Sequence, residues 1–207
     1  ITNSKQAMDK RIVALFNNKR NGTFIEVGAA DGLDQSNTLL LERKLGWSGL
    51  LVEPVKDQYE YCKSVRPHSV VERFILTSFE DTDTHKEINA TALGSRVEEN
   101  VMTPTLSERQ IYDYQKQNPQ RSLEKVAACT LDSLLDKHGI KHVDIFSLDV
   151  EGFEEIVLNG FSGENCQIDY LLVEAQNHEK FQEYAEGRGW KFIEAWTDGD
   201  FLYQLKA

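Results

Sequence analysis

Apolar positions along the chain fall into short continuous runs separated by stretches with helical spacing, a pattern that predicts strand, helix and strand in repetition. Thr23 to Val27 reads as a buried strand that opens into a turn bounded by Gly28 and Gly32. A helix from Ser36 to Leu45 follows, with Leu39, Leu40, Leu41 and Leu45 on or near its apolar side. Gly49 to Glu53 is the next run, apolar until its last residue, as buried parallel strands are. Val55 to Val65 reads as a helix stopped by Pro67, and Val70 to Leu76 as a third strand dense in β-branched and aromatic residues. Ahead of these, Ser4 to Asn17 has the period of an amphipathic helix with Ala7, Met8, Ile12, Leu15 and Phe16 inward.

Between residues 77 and 122 the pattern fails. The stretch is polar, lacks a clean period and holds Pro104 and Pro119. A segment of that kind inside a compact domain is expected to be an insertion or lid. Tyr112 and Tyr114 within it offer flat amphipathic faces suited to sugar rings. Regularity returns with a strand at Lys125 to Thr130 and a helix at Leu131 to His138, capped by Thr130 and stopped by Gly139. Then come a strand at Val143 to Leu148, a helix at Gly152 to Leu158 ended by Asn159-Gly160, a strand at Tyr170 to Glu174 and a helix at Glu179 to Glu186. Trp190 to Trp196 and Asp200 to Leu205 close the chain, with Asp198-Gly199 between them as a hairpin signal. The fold expected is α/β: one domain over 1–207 with a doubly wound, mostly parallel, Rossmann-like sheet, a terminal antiparallel hairpin and an inserted segment.

The turn after the first strand carries the first chemical signal. Gly28 and Gly32 lack Cβ atoms and let the backbone turn tightly and approach a ligand. The helix start behind it is expected to offer unpaired N–H groups. This is not the dinucleotide fingerprint, because Ala30 and Leu33 stand where its second and third glycines belong. Glu53 ends the second strand about 20 residues further on, where nucleoside-binding folds place a carboxylate on the ribose hydroxyls. Asp31, Glu53 and Asp149 all fall at carboxyl ends of strands, the edge at which open α/β sheets bind ligands.

Charge and composition narrow the partners. A net charge of −11 argues against a nucleic-acid binder, which would carry a basic stripe. No apolar run approaches the length of a membrane span. Cys62, Cys129 and Cys166 have no paired spacing, so reduced thiols and a cytoplasmic location are expected. His68, His85, His138 and His142 show no metal-ligand spacing and receive no role, and no metal site is assigned. A first residue of Ile1 suggests a domain excised from a longer chain.

Glu26-Val27-Gly28-Ala29-Ala30-Asp31-Gly32, with Ser36-Asn37-Thr38 and Gly49-Leu50-Leu51-Val52-Glu53-Pro54, resembles the S-adenosylmethionine site of a class I methyltransferase. Asp144 to Glu154, with its D-V-E-G-F-E run, resembles the signature of the FkbM-type family, down to Asn159-Gly160. The resemblance runs from about Phe24 to Glu174 and is poor in the middle. It implies a seven-stranded methyltransferase sheet, S-adenosylmethionine as cofactor and O-methylation of a hydroxyl on a sugar, glycan or natural product. Glu26, Gly28, Ala29, Asp31, Gly32, Ser36, Asn37, Thr38, Glu53, Pro54, Ile75 and Asp149 are the residues expected at the cofactor.

A hydroxyl is a poor nucleophile until its proton leaves, so a base is needed within hydrogen-bond reach. Asp149 is the first candidate and His178 the second. Glu151, two residues beyond Asp149, permits a bound Mg²⁺ or Mn²⁺ that would lower a hydroxyl's pKa. Two rival classes share such a sheet. An NAD-type oxidoreductase lacks support because the second fingerprint glycine is missing; a non-catalytic adenosine-binding module would use Asp149 and Glu151 for structure alone.

Overall fold

The computed structural model describes residues 4, 7–81, 85–89, 96–98 and 123–205. Its main sheet has seven strands in the order β10-β11-β9-β8-β1-β2-β3. Central β1 (Thr23–Val27) pairs in parallel with β2 (Ser48–Val52) on one side and β8 (His142–Leu148) on the other. Parallel β3 (Val70–Glu72) and β9 (Gln167–Glu174) extend the sheet outward. β11 (Asp200–Leu205) runs antiparallel between β9 and β10 (Trp190–Ala195), so the expected terminal hairpin is present and supplies the sheet's one reversed strand.

Alternate residues of the buried strands feed two cores. Ile25, Val27, Leu50, Val52, Phe146, Leu148, Leu171 and Val173 face one helical layer. That layer is α4 (Leu131–Lys137), α5 (Glu154–Leu158) and α6 (His178–Gly187). Phe24, Leu51, Ile145, Leu172 and Leu202 face the other, built from α1 (Met8–Leu15), α2 (Leu39–Leu45) and α3 (Lys56–Val65). Burial of each such side chain favours folding by about 1.5–3 kcal/mol. The cysteines are free thiols, and burial pushes that of Cys62 up to about 12.

Several boundaries differ from the sequence expectation, among them α1, which begins at Met8 rather than Ser4. The Val70–Leu76 run is two strands: β3 pairs with β2, whereas β4 (Ile75–Leu76) joins a second sheet of order β4-β7-β5-β6. Past Glu53, whose N–H donates to the Glu72 carbonyl at 3.1 Å, the Pro54 carbonyl accepts from Arg73 Nε at 3.0 Å. The second sheet contains β7 (Leu123–Cys129) and draws β5 (His85–Asn89) and β6 (Arg96–Glu98) out of the stretch expected to be irregular. Tyr112 and Tyr114 lie outside the described residues. Finally, α2 begins at Leu39 rather than Ser36, and α5 at Glu154 rather than Gly152.

The late start of α2 comes from a buried ionic network. Glu26, on the α2–α3 side of β1, accepts from Ser36 Oγ at 2.9 Å, Asn37 N at 2.8 Å and Thr38 Oγ1 at 2.5 Å, which holds Ser36–Thr38 out of the helix. Arg66, at the end of α3 and 0% exposed, sits beneath. Its guanidinium bonds Glu42 Oε2 at 2.9 Å, Thr38 Oγ1 at 2.8 Å, Ser36 Oγ at 3.1 Å and the Gly32 carbonyl at 3.2 Å, and meets Glu26 at 3.4 Å. One fixed fork thereby ties β1, the glycine turn, α2 and α3 together.

Breaking a buried pair strands its partner charges, so Arg66→Met should cost about 3–5 kcal/mol of stability. Urea unfolding of the variant tests this; a loss below about 1 kcal/mol, the scale of an exposed ion pair, would contradict the network's role.

Candidate active site

The candidate site is the crevice at the carboxyl ends of β1, β2, β8 and β9. Hydrogen bonds stitch these ends together. Gly28 N and Ala29 N both donate to the Val52 carbonyl, at 3.1 and 3.2 Å, and Asp149 N donates to the Val27 carbonyl at 3.1 Å. Gly28 has φ +82°, and a Cβ there would lie 1.8 Å from the Asp149 carbonyl oxygen, so no other residue fits between β1 and β8.

The remainder of the turn is held by carboxylates. Glu53, 5% exposed, accepts from Ala30 N at 2.9 Å through Oε2 and from Val55 N at 2.8 Å through Oε1. Asp31 Oδ1 accepts from Leu33 N and Asp34 N, both at 2.8 Å, closing a local turn. Gly32 N bonds the Ala29 carbonyl, and the φ of Gly32, +74°, is left-handed. Pro54 is half-buried, and Ile75 packs in a small cluster with Val55, Val126 and Ala128.

The expected row of unpaired amides at the start of α2 is not there. Thr38 N and Leu39 N both donate to Ser36 Oγ, and Asn37 N is taken by Glu26. Ser36, Thr38 and Glu26 are all buried and spend their side chains on one another and on Arg66. Asn37 differs from them. Its Nδ2 donates to Ser147 Oγ at 3.0 Å on β8, and its Oδ1 is a buried acceptor with no partner among the described residues.

Asp149 lies at the end of β8, open to solvent at the crevice yet ringed by protein. Burial first, then a hydrogen bond to Glu174, and then the charges of Glu174, Glu151 and Glu154 push its carboxyl up to about 8. Glu174, the last residue of β9, is thus its partner across the sheet. Glu151 is exposed with φ +55°, and Gly152 with φ +102° follows; two left-handed residues in succession explain why α5 starts late. Glu154 closes that loop by accepting from Gly152 N at 2.9 Å and Val150 N at 3.3 Å. Burial raises its pKa as well.

His178 and Asp149 share no hydrogen bond or ion pair. The ring of His178 stacks on Phe201 at 3.8 Å and 10° and tilts against Phe192 at 4.9 Å. Its Nε2 is buried without a partner among the described residues, which is poor access for a proton acceptor. Asp149 and Glu151 gather no third His, Cys, Asp or Glu into ligand-sharing reach among the described residues. Sequence reading assigned no role to Arg66, Glu42 or Glu174. The available signals were faint: a strand-end acid for Glu174, and a cation just before Pro67 for Arg66.

Residues 26–203 match the family model described as the methyltransferase FkbM domain. A search of curated proteins finds no match. Similar solved structures include a TehB-like SAM-dependent methyltransferase from Corynebacterium glutamicum, with TM-score 0.48 and 11% identity over 96% of this chain and 88% of that one. An RNA methyltransferase from Salinibacter ruber, in complex with S-adenosyl-L-homocysteine, gives TM-score 0.48 and 9% identity, covering 99% of this chain and 92% of its own. A SAM-dependent methyltransferase from Aquifex aeolicus gives TM-score 0.48 and 10% identity over 94% and 87%. Likeness at this level says nothing of the substrate. The family match runs from the strand that opens the glycine turn to the strand that closes the sheet, and the chain belongs to the FkbM methyltransferase domain family.

Proposed function

We propose that the protein is an S-adenosylmethionine-dependent O-methyltransferase acting on a hydroxyl of a sugar or glycan, with Asp149 as the general base. The observation that carries this reading is the Asp149–Glu174 carboxyl pair at the ends of adjacent strands, beside a glycine turn walled by acids. The cofactor, when bound, supplies a methyl group already activated by a sulfonium. The residues present fit such a cation. Glu53, Asp31, Glu151, Asp149 and Glu174 make the crevice acidic, and the unpartnered Asn37 Oδ1 suits an ammonium donor.

Within this reading Glu53 has two tasks. Each of its oxygens already accepts one backbone amide, and a carboxylate oxygen has a second lone pair for a ribose hydroxyl. Glu26, Ser36, Thr38 and Arg66 act at one remove by fixing the turn. Asp149 accepts the proton of the acceptor hydroxyl, and Glu174 holds the carboxyl in place by their hydrogen bond. A raised pKa makes Asp149 a stronger base than an ordinary carboxylate, but one that carries its proton at neutral pH in the free protein. Positive charge entering the crevice favours its ionised form. Asp149 is preferred to His178 because the imidazole is committed to Phe192 and Phe201. The negative net charge fits a neutral polyhydroxy acceptor better than a nucleic acid.

A radiolabelled-methyl screen over glycosides, polyketides, peptides and RNA tests the acceptor. Transfer to saccharides is expected; transfer only to RNA or protein would refute it. With an acceptor in hand, kcat/KM should rise with pH toward about 8, because only the ionised form of Asp149 takes a proton. Asp149→Asn should remove that rise and lower turnover roughly a hundredfold or more. An unchanged profile in the variant would exclude Asp149 as base.

Glu53→Ala should weaken S-adenosylmethionine binding by about 1–3 kcal/mol, the scale of hydrogen bonds lost from a charged group. Calorimetry giving unaltered affinity would take Glu53 away from the cofactor.

A further inference from the structure

The edge of the sheet opposite the crevice carries a second cluster. His142 and Asp144 stand two residues apart at the start of β8, and Asp169 lies near the start of β9 beside them. Each offers one ligand atom, and the three atoms lie within 4.8 Å of one another. His142 Nε2 is 3.0 Å from Asp169 Oδ2. Gln167 Nε2 donates to Asp169 Oδ1 at 2.8 Å, and Thr23 N donates to Asp144 Oδ2 at 2.9 Å. The backbone amide of Thr23 thus orients the Asp144 carboxylate from behind, as partners of metal-ligating carboxylates do.

A cation already reaches this cluster. Lys19 Nζ meets Asp144 Oδ1 at 2.5 Å, although Asp144 is 3% exposed and the lysine side chain is 44% exposed. Lys19 comes from the loop between α1 and β1, which turns through left-handed Asn17, Asn18 and Asn21. Its long side chain can swing into water at little cost, leaving Asp144 to another cation. His142 also lines a cleft of about 600 Å³ at this edge, with Thr23, Ser48, His138 and Lys141.

We propose that His142, Asp144 and Asp169 bind a divalent transition-metal cation of the zinc type, displacing the Lys19 ammonium from Asp144. The imidazole selects against Mg²⁺ and Ca²⁺, which prefer all-oxygen shells, while two carboxylates supply the charge. Three protein ligands leave the remaining positions to water. The ion would pin the starts of β8 and β9 to each other and to the strand start at Thr23. It stands at the far edge from Asp149 and takes no part in methyl transfer.

Zinc chloride titrated into the purified full chain tests the site, by calorimetry and by thermal unfolding. One saturable site is expected, with a rise of several degrees in the unfolding midpoint, since an ion that binds only the folded form stabilises it by mass action. His142→Ala and Asp169→Asn change exposed or half-buried side chains and should fold; each should weaken binding tenfold or more. Lys19→Met should bind zinc more tightly than the parent, because the competing ammonium is gone. Cobalt(II) absorption bands that vanish in His142→Ala would give an independent signature of the imidazole ligand. No saturable binding, binding indifferent to His142→Ala, or no gain in Lys19→Met would each overturn the proposal.

Discussion

One buried guanidinium sets the shape of the glycine turn after β1. Arg66 has no access to solvent and stands between two carboxylates, Glu26 and Glu42, that are themselves buried. Isolated charges in such a place would be costly, so every part of the network must be satisfied for the fold to keep it. It is satisfied by short side chains: Ser36, Thr38 and Ser69 hydroxyls and the Asn37 amide complete the carboxylates' hydrogen bonds. The same bonds hold Ser36–Thr38 out of the helix, delay α2 to Leu39 and fix the Gly32 carbonyl. The glycine turn above is therefore rigid before any ligand arrives, which spares the cost of ordering it at binding.

The two edges of the sheet are chemically distinct. At the carboxyl edge, Asp149, Glu151, Glu154 and Glu174 crowd together; Asp149 is driven toward its protonated form while Glu154 is spent on the amides of its own loop. Crowded carboxyls of this kind suit a positively charged ligand, whose arrival relieves their mutual repulsion. At the amino edge, acids and cations alternate, as Lys19–Asp144 and Lys141–Asp136 show. The proposed methyl transfer belongs at the first edge, where crowded carboxyls suit a sulfonium.

Much of this was legible in the sequence because it is written in local pattern. The apolar runs of β1, β2, β8 and β9 and the Thr130 cap, whose Oγ1 accepts from Ser133 N, are found as read. What the sequence hid depends on contacts between distant segments. Arg66 lies 40 residues from Glu26, and nothing in its own surroundings announces a buried ion pair. The amides at the start of α2 were expected to face a ligand, but a strand residue ten positions earlier takes one of them and organises the rest. The polar strands β5 and β6 have no hydrophobic period to reveal them; β5 forms by pairing with the distant β7, and β6 by pairing with β5. His178 read as a candidate base from its place after a strand end, and only the packing of Phe192 and Phe201 shows where its ring is committed.

The proposed methyl transfer requires the carboxyl edge of the sheet to hold a sulfonium-bearing nucleoside rather than a dinucleotide. Thermal unfolding of the unaltered protein with S-adenosylmethionine, its demethylated product or NAD measures that directly, because a ligand specific to the native state raises the midpoint. A rise with S-adenosylmethionine and its product, and none with NAD, is the predicted result. A rise with NAD alone would contradict the account at its centre.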